Sequence, residues 1–169
     1  MELRDESLVL RPPTRDDVPA IVEACQDPEL ARFIPGFPSP YTERDARGWI
    51  ASRAKDRGSL TFLIVDADNG ALCGAIEVRL GDVGSIGYWV ARTARGHGVA
   101  TRATKILSHW AVTNGGVQRL ELTTDPENIP SQRVAEKAGF TREGLLRAHM
   151  KFPEGRRDSV MFSLLPSDL

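Results

Sequence analysis

Cysteine is scarce in this chain: Cys25 and Cys73 are the only two among 169 residues, with no Cys-x-x-Cys pair and no Cys/His spacing of the zinc type. That excludes a disulfide framework, and no metal is expected; both thiols are read as buried and reduced. Long apolar runs are missing too, none approaching the ~20 residues that a membrane span needs, so no membrane contact is expected. The opening residues Met1-Glu2-Leu3-Arg4-Asp5 lack the apolar core of a secretion signal, which makes the cytoplasm the expected compartment. Nor does one sign of charge dominate: 22 Lys and Arg against 23 Asp and Glu leave a formal net charge of -1. Without a long basic tract there is no electrostatic footprint for nucleic acid, which is not an expected partner. No repeat, low-complexity segment or linker interrupts the sequence. Residues 1–169 are therefore read as one domain, long enough to bury a sizeable core.

What the chain does carry is a glycine-rich turn, Arg95-Gly96-His97-Gly98-Val99-Ala100. Before it, Ser85-Ile86-Gly87-Tyr88-Trp89-Val90 has the β-branched and aromatic content of a strand; after it, Val99, Ala103, Ile106, Leu107 and Trp110 recur at helical spacing. The free N–H groups of that helix start would face an anion. A side chain at Gly96 or Gly98 would hold a phosphate away from the amides. A P-loop is excluded because Val99-Ala100, not Lys-Ser/Thr, follows Gly98. A dinucleotide fingerprint is excluded because the turn lies past mid-chain and lacks the third glycine. What remains is Arg-x-x-Gly-x-Ala, with a turn that merely caps a helix as the plain structural alternative.

Around this turn the sequence predicts a mixed α/β (α+β type) fold. Leu8-Val9-Leu10-Arg11 is a short strand, and Thr14-x-x-Asp17 starts a helix through Val18, Ile21, Val22 and Cys25. Phe33 to Pro40, with three prolines and a glycine, is read as a loop between two helices. The second helix begins near Thr42 and runs towards Lys55. Leu60 to Ala67 and Leu72 to Leu80 are strands joined by the turn Asp68-Asn69-Gly70. Asn114-Gly115-Gly116 stops the helix after the glycine turn, Leu120 to Thr123 is a strand, and Asn128 caps a helix ending at Gly139. Phe140 to Met150 and Asp158 to Leu165 form a terminal hairpin around Pro153-Glu154-Gly155.

Together with the glycine turn, Ile86-Gly87-Tyr88-Trp89, Asp125-Pro126-Glu127-Asn128-x-x-Ser131 and Glu136-Lys137-x-Gly139-Phe140-x-x-Glu143-Gly144 resemble the GCN5-related N-acetyltransferase (GNAT) superfamily, in its RimJ/RimL-like branch. The resemblance runs from Leu8 to Leu165. It implies a single GNAT domain with a mixed, largely antiparallel sheet of about seven strands, flanking helices and splayed middle strands that hold acetyl-CoA. It assigns Trp89 and Val90 to the pantetheine arm through their peptide groups, Arg95, Gly96, His97, Gly98, Val99, Ala100 and Thr101 to the pyrophosphate, and Asn128 to the pantetheine amide. The helical pair and its loop, with Phe33, Phe37 and Trp49, would form a wall of the acceptor site. The implied activity is transfer of an acetyl group to a primary amine, either a protein N-terminal α-amine or a small-molecule amine. A longer donor such as succinyl-CoA, a non-catalytic acyl-CoA-binding module and a homodimer whose second copy closes the site remain alternatives.

The catalytic side chains follow the resemblance less closely. Where a tyrosine general acid often stands, five residues before Phe140, this chain has Ala135, and Ser85 replaces a common glutamate. Ser131 stands where RimL-like enzymes place a serine near the CoA sulfur, which makes it the candidate proton donor. His149, with a reference pKa near 6.5, is a candidate base, as are, through water, Glu77 and Glu121.

Overall fold

Along Phe62-Leu63-Ile64-Val65 successive side chains point to opposite faces, as strand geometry requires, and so they enter two different cores. This is the organising feature of the computed structural model, which describes residues 1–169. Its strands are β1 (Leu3–Arg4), β2 (Leu8–Arg11), β3 (Ser59–Asp66), β4 (Leu72–Arg79), β5 (Val83–Val90), β6 (Arg119–Thr124), β7 (Thr141–Phe152) and β8 (Gly155–Leu164). Its helices are α1 (Val18–Ala24), α2 (Pro28–Phe33), α3 (Glu43–Lys55), α4 (Val99–Thr113) and α5 (Ile129–Lys137). One sheet joins all eight strands in the order β1-β2-β3-β4-β5-β6-β8-β7. Phe62 and Ile64 pack with Val99, Ala103 and Leu107 of α4 and Ala135 of α5. Leu63 and Val65 pack on the other face with Val18, Ile21, Leu30 and Ala46 of the first three helices.

Every neighbouring pair is antiparallel except β5 and β6, which are parallel and joined by the crossover through α4. Their pairing covers only Val83↔Arg119, Gly84↔Leu120 and Ser85↔Glu121. Beyond that point β5 continues to Val90 and β6 to Thr124 as the two diverge, so the middle of the sheet opens as a wedge. On its other edge β5 stays paired with β4 as far as Gly74↔Val90. The peptide groups freed by the divergence therefore lie on the facing edges of β5 and β6.

Three local features differ from the sequence reading. An eighth strand, β1, is a two-residue edge pairing Leu3 with Leu10, too short to carry a period. The helix expected at Thr14 opens with a single 3-10 turn, Arg15–Asp17, in which the Asp17 carboxylate accepts from Thr14 N at 2.7 Å and Thr14 Oγ1 at 2.8 Å. Between the two expected helices lies a third, α2, capped by Asp27 Oδ1 on Glu29 N at 3.1 Å with Pro28 in its first turn. Six residues are too few for hydrophobic periodicity to register, so Phe33, read as the start of a loop, is the end of a helix.

The terminal hairpin forms as expected, but β7 shifts register between Leu146 and Met150. Arg147, Ala148 and His149, all exposed, stand opposite the single residue Asp158 of β8, two more than the ladder needs, with Ala148 at φ 51 held by its N–H on Asp158 Oδ1 at 2.7 Å. Both cysteines are buried and free, and burial pushes the Cys25 thiol up to about 12. No helix is long and apolar enough to cross a membrane.

Candidate active site

The wedge between β5 and β6 opens into two cavities. The first, about 740 Å³, runs along the end of β5 to the N-terminus of α4. Gly98 precedes α4 in the left-handed conformation, at φ 73, and no side chain caps the helix. A Cβ built at Gly96 or Gly98 meets no protein atom within 4 Å. Glycine is therefore favoured there by backbone conformation, with φ 82 and 73, and not by protein packing. Of the eleven residues assigned to the cofactor, ten line this cleft: Trp89, Val90, Arg95, Gly96, Gly98, Val99, Ala100, Thr101, Asn128 and Ser131. His97 is exposed and lies outside it.

The peptide edge of β5 supplies the rest of the cleft's polarity. Ala91 N donates to Cys73 O at 2.8 Å, towards β4. Strand alternation then turns the peptide groups of Val90 and Tyr88 towards the open edge. The Val90 carbonyl accepts from Arg95 Nε at 3.2 Å, and the Arg95 guanidinium also pairs with Asp27 at 2.7 Å. Arg95 thus ties the glycine turn to the cap of α2. At the other end of α2, Arg157 donates to Arg32 O at 2.8 Å, lies over the Phe152 ring at 3.8 Å and pairs with Glu154. A short helix that periodicity did not reveal is anchored at both ends by arginines from distant elements.

The second cavity, about 730 Å³, lies under α2, α3 and the irregular segment that joins them. Both volumes fall in the range of small-molecule sites. Phe33, Phe37 and Trp49 all line it, with Tyr41 stacked on Phe37 at 5.2 Å between ring centroids. Met150 lines it, whereas His149 is exposed outside it with Nδ1 3.2 Å from Ser159 Oγ. The bulge in β7 explains the exchange, since it turns residue 149 outwards. Glu77 lines the cavity, but its Oε2 pairs with Arg53 at 3.0 Å and accepts from Thr61 Oγ1 at 2.8 Å. The other lining carboxylates are also engaged, Asp45 by Thr42 at 2.6 Å and Asp125 by Glu127 N at 2.9 Å. Glu121 lines neither cavity and holds Arg119 at 2.9 Å.

Six residues line both cavities: Phe33, Ile34, Tyr88, Trp89, Asn128 and Ser131. Asn128 caps α5 by accepting from Ser131 N at 3.2 Å. Ser131 Oγ lies 2.9 Å from the Tyr88 hydroxyl, a contact across 43 residues of sequence. Burial pushes the Tyr88 phenol up to about 12, against a smaller opposite effect of the serine. Tyr88 belongs to a motif visible in the sequence, but no spacing rule pairs it with Ser131.

Two cavities that share one wall describe a protein that brings a donor and an acceptor together, a transferase. Residues 7–141 match the acetyltransferase (GNAT) domain family, and the chain belongs to that family; it is an acyl-CoA-dependent N-acyltransferase. Among its relatives is "Uncharacterized N-acetyltransferase p20" of Bacillus licheniformis, 28% identical over 169 residues, covering 96% of this chain and 95% of that protein. The ribosomal-protein-serine acetyltransferase of Escherichia coli (strain K12) is 31% identical over 68 residues, covering 40% of this chain and 38% of its own length. The solved structure of Mycobacterium smegmatis RimJ in complex with CoA-disulfide superposes with a TM-score of 0.87 at 25% identity, covering 100% of this chain and 88% of that one.

Proposed function

We propose that this protein transfers the acetyl group of acetyl-CoA to a weakly basic primary amine, the N-terminal α-amine of a protein or peptide. The observation that carries this reading is that no unengaged carboxylate or imidazole lines the acceptor cavity. The acceptor must then arrive largely deprotonated by its own chemistry. At pH 7.5 an α-amine is about one-third neutral and a lysine side chain about 0.1% neutral, a difference on the order of 10². The name of one relative, a ribosomal-protein-serine acetyltransferase, supports a protein as the acceptor.

The residues divide the work between the two cavities. The glycine turn and the start of α4 receive the pyrophosphate, and the open edge of β5 receives the pantetheine arm. The Val90 N–H, at that edge, is positioned to stabilise negative charge on the thioester oxygen as the amine adds. Ser131, on the shared wall, hydrogen-bonds to the sulfur as it leaves. The wall shared by the two cavities favours turnover over a binding-only module, because it would place an acceptor beside the donor.

Release of CoA is measured against free N-terminal peptides and against the same peptides with a blocked α-amine and an internal lysine. The expected result is turnover of the free peptides with at least a tenfold lower rate on the blocked ones. Equal rates, or turnover of the blocked peptides alone, would overturn the α-amine assignment. Tight acetyl-CoA binding with no turnover of any amine would restore the binding-module alternative.

A further inference from the structure

We propose that Tyr88 is a positioning residue, whose phenolic O–H donates to Ser131 Oγ and so leaves the serine proton aimed at the departing sulfur. The inference rests on the acetyl-transfer reading of the same site.

The geometry that carries it is a pair of hydroxyls 2.9 Å apart, both on the wall shared by the two cavities. A hydroxyl has one proton and two acceptor positions, so in such a pair one proton is used and the other remains free. A phenol is the stronger acid of the two and hence the better donor, while an aliphatic hydroxyl is the better acceptor. Tyrosine therefore donates and serine keeps its proton available. The rest of Ser131 is already held, since its N–H is bound by Asn128 Oδ1 and its Oγ makes no bond to local backbone. A first-turn serine with a purely structural role would use its hydroxyl on its own helix. The burial that raises the Tyr88 phenol keeps it protonated, and therefore a donor, throughout the range in which acetyltransfer is measured.

The step balances without a change at either residue. The amine nitrogen forms the C–N bond, the C–S bond breaks, and its electron pair stays on sulfur. Ser131 stabilises that charge by a hydrogen bond. The proton lost by the amine reaches the thiolate through solvent, and Tyr88 and Ser131 end the cycle with the protons they began with.

The test is a double-mutant cycle of Tyr88→Phe and Ser131→Ala, read by single-turnover rate and by calorimetric acetyl-CoA affinity, with thermal unfolding as the check on folding. Tyr88→Phe keeps the ring and is expected to lower the rate about five- to tenfold, the worth of one oriented hydrogen bond, with acetyl-CoA affinity unchanged within about twofold. The double variant is expected to be no slower than Ser131→Ala alone. A wild-type rate in Tyr88→Phe beside a slow Ser131→Ala would overturn the role of Tyr88 and leave the serine assignment standing. Additive losses would also overturn it. A wild-type rate in Ser131→Ala would remove the serine from the reaction, and Tyr88 with it.

A second readout responds to the phenol itself. The chain has two tyrosines, so in a Tyr41→Phe background a fluorinated tyrosine enters at position 88 alone. Its more acidic phenol is expected to bring the alkaline limb, which for the parent phenol lies above the measured range, down into that range, because an ionised phenol cannot donate. An unmoved limb argues for a packing role only and refutes the proposal.

Discussion

Replacing Gly74 with alanine tests the link between the sheet and the donor site. Gly74 lies on β4 opposite Val90, and a Cβ built there would stand 2.2 Å from the Trp89 carbonyl oxygen, 3.0 Å from Val90 Cα and 3.1 Å from Trp89 C. Ordinary contact begins near 3.4 Å, so the oxygen must retreat by more than 1 Å, and all three neighbours are backbone. No side-chain rotation can relieve the overlap. The end of β5 must move, and with it the peptide edge that faces the cleft. Overpacking of this kind costs about 1–3 kcal/mol. For a chain of this length that corresponds to about 2–12 °C in Tm. A displacement of about 1 Å beside the reacting atoms costs on the order of 10²-fold in rate. Thermal unfolding, acetyl-CoA calorimetry and kcat/KM measure the three consequences on one preparation. Gly144→Ala on β7, where a Cβ meets no atom within 4 Å, is the control and should change none of them. A Gly74→Ala protein with wild-type Tm and wild-type acetyl-CoA affinity would refute the reasoning.

Gly98→Asn separates backbone strain from ligand space, since asparagine tolerates the left-handed conformation while its side chain enters the cleft. Its Tm should stay close to that of the parent and its acetyl-CoA Kd rise at least tenfold; unchanged affinity in the folded variant would remove Gly98 from the donor site. Gly48 lies inside α3 and lines the acceptor cavity with nothing within 4 Å of a built Cβ. Gly48→Leu should gain up to about 1 kcal/mol of helix stability and raise KM for peptide acceptors while leaving acetyl-CoA affinity alone, and steady-state kinetics on both substrates checks this. Alkaline pH supplies the last prediction: because the Tyr88 phenol is raised from 10.0 to about 12, its stabilising effect is complete below pH 10 and lost as pH rises from 10 towards 12. Urea unfolding over that interval should show a fall of about 1.4 kcal/mol per pH unit from this group, absent in Tyr88→Phe.

The features legible in the sequence are those whose energy is local. The box at the start of α3, with Thr42 Oγ1 on Asp45 at 2.6 Å, joins residues three apart. So does the cap of Asn128 on Ser131, and the turn at Asp68-Asn69-Gly70 needs only one glycine at φ 71. The glycine turn before α4 belongs to the same class, because its meaning lies in six consecutive residues. Each carries a conformational preference strong enough to be read without knowing the rest of the chain.

The parts that were not legible depend on partners brought together by the sheet. His149 was read as a candidate base, but whether residue 149 or 150 faces the cavity depends on a register shift in β7, and the structure turns Met150 inwards. Glu77 was read the same way, and its engagement by Arg53 and Thr61 arises from α3 and β3 packing beside β4. The Arg95–Asp27 pair, the Arg157 bond to Arg32 across 125 residues and the Tyr88–Ser131 contact have no local signature at all. By itself the sequence determined the family, the order of most elements and the glycine turn proposed to meet the donor's phosphates, because turns, caps and short motifs act through neighbours along the chain. Only the tertiary structure decided which hydroxyls and aromatic rings meet on the wall shared by the two cavities, because strand order and register are set by the summed burial of the whole sheet.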